Sequence, residues 1–203
     1  MKTLLAEGAE AKIYRQKDSI LKERIPKSYR LTEIDITLRK SRIRREKKIL
    51  DKLEKAGFPS PRVQEMNDKE MILSMDFISG EKVRDILTDK NYAKISAEIG
   101  VKVAVLHNMN IIHGDLTTSN MILHHEEIYL IDFGLAAISS RIEDKAVDLH
   151  LLKQGLESKH YKIWDKAFAL VISSYKKKAE NSKEILERFE VVESRGRNKG
   201  VGS

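Results

Sequence analysis

The chain of 203 residues has no cysteine and only three prolines. Without cysteine there is no disulfide framework, no thiolate-bound zinc and no cysteine nucleophile. No run approaches the roughly 18 apolar residues that a membrane span requires. The opening MKTLLAEGAEAKIY has too short an apolar stretch for a signal peptide, so a cytoplasmic protein with no membrane partner is expected. A chain of this length buries a core unaided and fits one domain, residues 1–203, which two lobes can share.

Charge is plentiful. Lysine and arginine total 38 against 31 acidic residues, a net charge of +7. The surplus is local: residues 22–55 hold thirteen basic and six acidic side chains, and the remainder balances. Such a run reads either as a solvated helix face or as a patch for a polyanion such as RNA.

Short β-type runs at Leu4–Leu5, Ala11–Tyr14 and Ile20–Ile25 precede a helix expected over Arg39–Ala56, which Gly57 ends. Ile43, Ile49, Leu50 and Leu53 form that helix's apolar stripe. Val63–Met66 and Met71–Met75 read as a hairpin. A hinge is expected at residues 75–80, and Ile95, Ile99, Val103 and Leu106 then mark a second helix. Strands at Met121–Leu123 and Ile128–Ile131 follow, with two or three helices beyond Asp144. The ending SRGRNKGVGS has no apolar period and is expected to be a flexible basic tail, 194–203. The pattern predicts an α+β, two-lobed fold: a β-rich N-lobe over about 1–77 with one long helix, and a reduced helical C-lobe over about 81–193.

One constellation carries chemistry. His113-Gly114-Asp115 stands five residues before Asn120, and Asp132-Phe133-Gly134 follows after a hairpin-sized gap. This is the catalytic-loop and metal-loop pattern of the protein-kinase fold. Phosphoryl transfer needs a carboxylate near the attacking oxygen and hard oxygen ligands for Mg2+. Asp115 is the candidate base; Asn120 and Asp132 are the candidate metal ligands. A cation for the phosphates of ATP should come from the N-lobe, held by a helical glutamate. Glu46 lies on the apolar face of its helix, where an unpaired carboxylate is costly. Lys22, in Ile20-Leu21-Lys22, is the expected partner.

The expected phosphate-covering loop is Gly8-Ala9-Glu10-Ala11, with one glycine where kinases carry three. Glu7 and Glu10 would repel phosphate there unless they turn outward or meet a basic partner. Met75, Asp76, Phe77 and Ile78 should offer backbone groups to adenine. Only about nine residues separate Gly134 from the helix near Asp144, and no Ala-Pro-Glu follows, so the peptide-docking segment of ordinary protein kinases is absent. Gly114 replaces the arginine of His-Arg-Asp. His113 reads as a residue that holds the loop rather than as a base, and Trp164 with Phe168 as core.

These residues resemble the small atypical kinase/ATPase of the KEOPS complex, the Bud or PRPK family. The resemblance rests on Gly8 to Ala11, Lys27-Ser28-Tyr29-Arg30 with Ile34-Asp35, Leu38 to Glu46, His113 to Met121, Asp132 to Leu135 and Glu143 to Leu149. Thr32 departs from the family's frequent proline. The resemblance implies an ATP- and Mg2+-dependent serine/threonine protein kinase or ATPase, able to phosphorylate itself, that acts in threonylcarbamoyladenosine modification of tRNA. It also implies a threonylcarbamoyltransferase subunit bound by the C-lobe, a small regulatory subunit bound by the N-lobe, and tRNA contact by Arg195, Arg197 and Lys199. RIO-type and antibiotic-type phosphotransferases, and a kinase-like scaffold without activity, are the alternatives.

Overall fold

In the computed structural model, residues 2–8 and 10–198 are described. The chain forms two compact units, one of Met1–Ser79 with Tyr129–Leu135 and the other of Gly80–Ile128 with Ala136 onward.

The first unit is built on β1 (Thr3–Glu7), β2 (Ala11–Gln16), β3 (Ser19–Arg24), β4 (Val63–Asn67) and β5 (Ile72–Asp76). They make one antiparallel sheet in the order β1-β2-β3-β5-β4. The register sets Lys22 opposite Ile13 on one side and Leu73 on the other. Helix α1 (Thr32–Lys55) packs along β4 and β5 with Ile43, Ile49, Leu50 and Leu53 buried. Each such side chain contributes roughly 1.5–3 kcal/mol on burial. The helix stops where Gly57 and Phe58 N–H groups turn back to the Glu54 and Leu53 carbonyls.

This helix begins seven residues before the expected Arg39. Its first two turns lack an inward apolar stripe, since Ile34, Ile36 and Leu38 are exposed, so the period could not be followed there. Charge holds them instead. Buried Asp35 accepts the Lys27 N–H at 3.3 Å and Arg39 Nε at 2.6 Å, with Arg30 at 3.6 Å.

The second unit contains β6 (Glu81–Lys82), α2 (Val83–Ile86), α3 (Tyr92–Asn108), β7 (Ile111–Ile112) and β8 (Met121–His124). After β9 (Glu127–Leu130) come β10 (Ala137–Ile138), α4 (Ile142–Lys159), α5 (Trp164–Lys178) and α6 (Ser182–Asn198). β6, β8 and β9 lie in that order in one sheet, and β10 pairs with β7. His125 and Glu126, both at positive φ, make the two-residue turn between β8 and β9. α3 packs against α5 and α4 against α6, around Ile99, Val103, Leu106, Leu152 and Val171. Phe168 is buried with them, while Trp164 is half-buried beneath the Lys153 ammonium.

Residues 194–198 of the expected tail are helical. The apolar period of Ile185 and Phe189 and the buried Glu193 carry α6 through Asn198. No helix among the described residues is long and apolar enough to cross a membrane.

Candidate active site

In the first unit, alternation along β3 turns Lys22 and Arg24 to the same face, where both are buried. Lys22 Nζ lies 2.6 Å from Glu46 Oε1 and 2.6 Å from Asp132 Oδ1. Arg24 Nη2 lies 2.6 Å from Glu46 Oε2. Burial alone would depress the Lys22 ammonium; the Glu46 carboxylate, then that of Asp132, outweighs it and holds the pKa above the ordinary lysine value. Glu46 is 1% exposed, and its two oxygens are thus divided between two cations.

Asp132 joins this unit because residues 129–135 pack with it, tied by the Leu130 N–H to the Pro59 carbonyl at 3.1 Å. Its φ of +62° lies in the left-handed region, which aspartate and asparagine tolerate better than most residues. Phe133 beside it is buried, whereas the Asp132 side chain is half exposed.

The Gly8–Ala11 loop is a tight turn, with the Gly8 N–H bonded to the Ala11 carbonyl at 3.0 Å. Ala9 lies outside the described residues. Glu10 is paired with Arg42 and lies 3.9 Å from Arg30; Glu7 lies 3.2 Å from Lys12. Both acids therefore have basic partners. Of the adenine candidates, Met75 is buried in β5. The Asp76 and Phe77 N–H groups are committed to the Arg62 and Asp18 carbonyls, which leaves Ile78 as the candidate N–H donor among the four.

In the second unit, Asp115 and Asn120 are brought together by a 3-10 turn over Thr118–Asn120. Asn120 Nδ2 donates to the Asp115 carbonyl and to Asp115 Oδ2, each at 2.8 Å. With its amide hydrogens so committed, Asn120 keeps its side-chain oxygen as the acceptor that a cation could use. An amide oxygen, as on Asn120, and a carboxylate, as on Asp132 in the first unit, are each the kind of hard donor that Mg2+ prefers. Gly114 has φ +78°, a conformation that an arginine would adopt only under strain. The His113 and Gly114 N–H groups donate to Asp148 at 2.7 and 2.9 Å, and His107 Nε2 lies 3.3 Å from the same carboxylate. Tyr175 Oη is 2.8 Å from His107 Nδ1. Burial, then the Asp148 charge, pushes the Tyr175 hydroxyl well above its ordinary pKa.

Sequence reasoning missed Arg24, although its spacing from Lys22 on a strand was the signal. It also left Asp148 without a role. Among the basic candidates at the chain end, Arg195 is paired with Glu143 at 2.8 Å, while Lys199 and the Arg197 side chain lie outside the described residues.

The family described as RIO domain matches residues 9–151. A KEOPS complex subunit Bud32 from Pyrococcus abyssi is 42% identical over 209 residues, covering 96% of this chain and 95% of its own. The chain belongs to the RIO-domain family, in its Bud32 branch. A second Bud32 relative, from Archaeoglobus fulgidus and named a probable serine/threonine-protein kinase, is 36% identical over 97% of this chain and 96% of its own. A probable bifunctional tRNA threonylcarbamoyladenosine biosynthesis protein of Methanobrevibacter smithii is 39% identical over 96% of this chain, which spans 36% of that protein's length. The Rio2 kinase of Chaetomium thermophilum, solved as an ADP/Mg2+-phosphoaspartate complex, is similar with a TM-score of 0.66 at 14% identity. That likeness covers 97% of this chain and 72% of the other, and it establishes a kinase-like fold. RIO, set apart from Bud32 in the sequence reading, is thus the family that encloses it.

Proposed function

We propose that this Bud32-branch protein transfers the terminal phosphoryl group of ATP to water or to a protein hydroxyl, its own included. We place it within a KEOPS-type assembly that modifies tRNA. The observation that carries this reading is Lys22, bonded at once to Glu46 and to Asp132 from two distant stretches of chain. A buried ammonium between a helical carboxylate and a half-exposed one is poised to exchange a partner for phosphate.

In this mechanism Lys22 grips phosphate oxygens and Glu46 positions it. Asp115 orients the attacking hydroxyl or water and accepts its proton; Asn120, bonded to Asp115, keeps that carboxylate in place. Asn120 and Asp132 would hold magnesium, which supplies charge neutralisation at the phosphates when bound. The Gly8–Ala11 turn lies over the phosphates, and Ile78 meets adenine. The exposed stripe Leu31, Ile34 and Leu38 on the first unit supports docking of a small regulatory subunit. Exposed Ile138 and Val147 on the second support docking of the threonylcarbamoyltransferase. Arg195, Arg197 and Lys199 are assigned to tRNA contact, and the site of action is the cytoplasm.

Labelled ATP tests the reading, with protein alone, with tRNA and with the transferase subunit, free phosphate being separated from phosphoprotein. Release stimulated by tRNA and lost in Asp132→Asn is expected; asparagine keeps the left-handed backbone and removes only the charge. Label transferred only to an added aminoglycoside would overturn it.

A further inference from the structure

Arg24 is a buried charge that the mechanism above leaves without a role. It is 4% exposed, and its Nε finds no acceptor among the described residues, so hydrogen-bond economy does not explain its place. What Arg24 does have is half of Glu46, at 2.6 Å, while Lys22 holds the other half at the same distance. Gly134 lies against this cluster: a Cβ there would stand 2.9 Å from Lys22 Nζ, 3.1 Å from Asp132 Oδ1 and 3.3 Å from Arg24 Nη2. Two cations and a carboxylate therefore converge beside a residue without a side chain.

We infer that Arg24 is a positioning residue that neutralises Glu46 and so releases the Lys22 ammonium for the phosphates of the nucleotide. Two cations here balance two carboxylates. Without Arg24, Lys22 would stand between two negative charges with only its own to offer, and the cluster would repel an incoming polyanion. With Arg24 present, Glu46 remains ionically satisfied when Lys22 turns to phosphate. A guanidinium suits this task because it stays protonated under all working conditions.

The inference rests on the nucleotide reading above and is tested by calorimetry on the full chain with Mg-ATP, Mg-ADP and adenosine. Arg24→Met should weaken Mg-ATP about tenfold while adenosine affinity changes less than about twofold. Arg24→Lys, which keeps the charge, should stay within about threefold of wild type for all three. The double variant Arg24→Met/Glu46→Gln restores the charge balance and should recover part of the lost Mg-ATP affinity. Glu46→Gln alone loses the carboxylate that positions Lys22 but carries one positive charge more than the double variant, so it should bind Mg-ATP more tightly than the double variant. If Arg24→Met does not fold, Glu46→Gln against the double variant reads the same one-charge step. Equal loss of adenosine and Mg-ATP, or no recovery in the double variant, overturns the inference. Wild-type protein that takes up no Mg-ATP, even with tRNA and partner subunit present, overturns the nucleotide reading itself.

Discussion

Asp148 accepts the Gly114 N–H at 2.9 Å, so a side chain from α4 fixes the backbone next to Asp115. Its other oxygen takes the His113 N–H and lies within reach of His107. Asp148→Ala strands two backbone donors in a buried setting and should cost on the order of 3 kcal/mol in urea unfolding. Asp148→Asn keeps one acceptor and should cost less, while phosphate release falls in both. An unfolding midpoint unchanged in Asp148→Ala would show that the loop is held by something else.

Gly114 carries a second prediction. At φ +78° any Cβ is strained, so Gly114→Ala should lose roughly 1–2 kcal/mol and melt several degrees lower. Because the strain falls next to Asp115, kcat should drop more than ATP affinity. Restoring the arginine of ordinary kinases should be no better tolerated. Differential scanning calorimetry with a turnover assay checks both points.

Where side chains alternate or repeat, the sequence was legible. Glu46 on an apolar stripe demanded a cation, and β3 supplied Lys22. Asp115, Asn120 and Asp132 stood out as candidates because phosphoryl transfer constrains residue types and spacing. Arg24 was not read, because one partner satisfied the demand and nothing in the pattern asked for two. The start of α1 was missed because Asp35, Arg30 and Arg39 hold it where apolar contacts elsewhere hold helices. The last helix was cut short because Arg195-Gly196-Arg197 reads as tail, whereas the anchor that extends it, Glu193, is a charge paired across to α4.

That anchor gives a pH dependence. Glu193 accepts hydrogen bonds from His150 and Lys153, and Lys153 also lies 3.7 Å from Glu157. Burial pushes the Glu193 carboxyl up, and the bonds from Lys153 and His150 more than reverse this, leaving it below the ordinary glutamate value. A carboxyl depressed in the folded state stabilises fully above its unfolded pKa and loses that contribution as pH falls through the folded one. Stability should therefore decline below about pH 4.5, and Glu193→Gln should flatten that limb. At neutral pH the same variant should lose roughly 1–2 kcal/mol. The single tryptophan, Trp164, lies 5.7 Å from Lys153 Nζ and reports the change by fluorescence.

The three-way sharing of charge at Lys22 predicts an asymmetry between two alanine variants. Lys22→Ala removes one cation, but Glu46 keeps Arg24 and half-exposed Asp132 is taken over by solvent. No charge is left buried and alone, so the loss of stability should be only about 1–2 kcal/mol, with turnover abolished. Glu46→Ala removes the acceptor common to both cations and leaves the Arg24 guanidinium buried without a carboxylate. Breaking a buried pair in that direction costs about 3–5 kcal/mol. Urea unfolding of the two variants side by side should thus separate them by at least about 1 kcal/mol, with Glu46→Ala the weaker fold. Equal losses would mean that Arg24 does not hold Glu46 once Lys22 is gone.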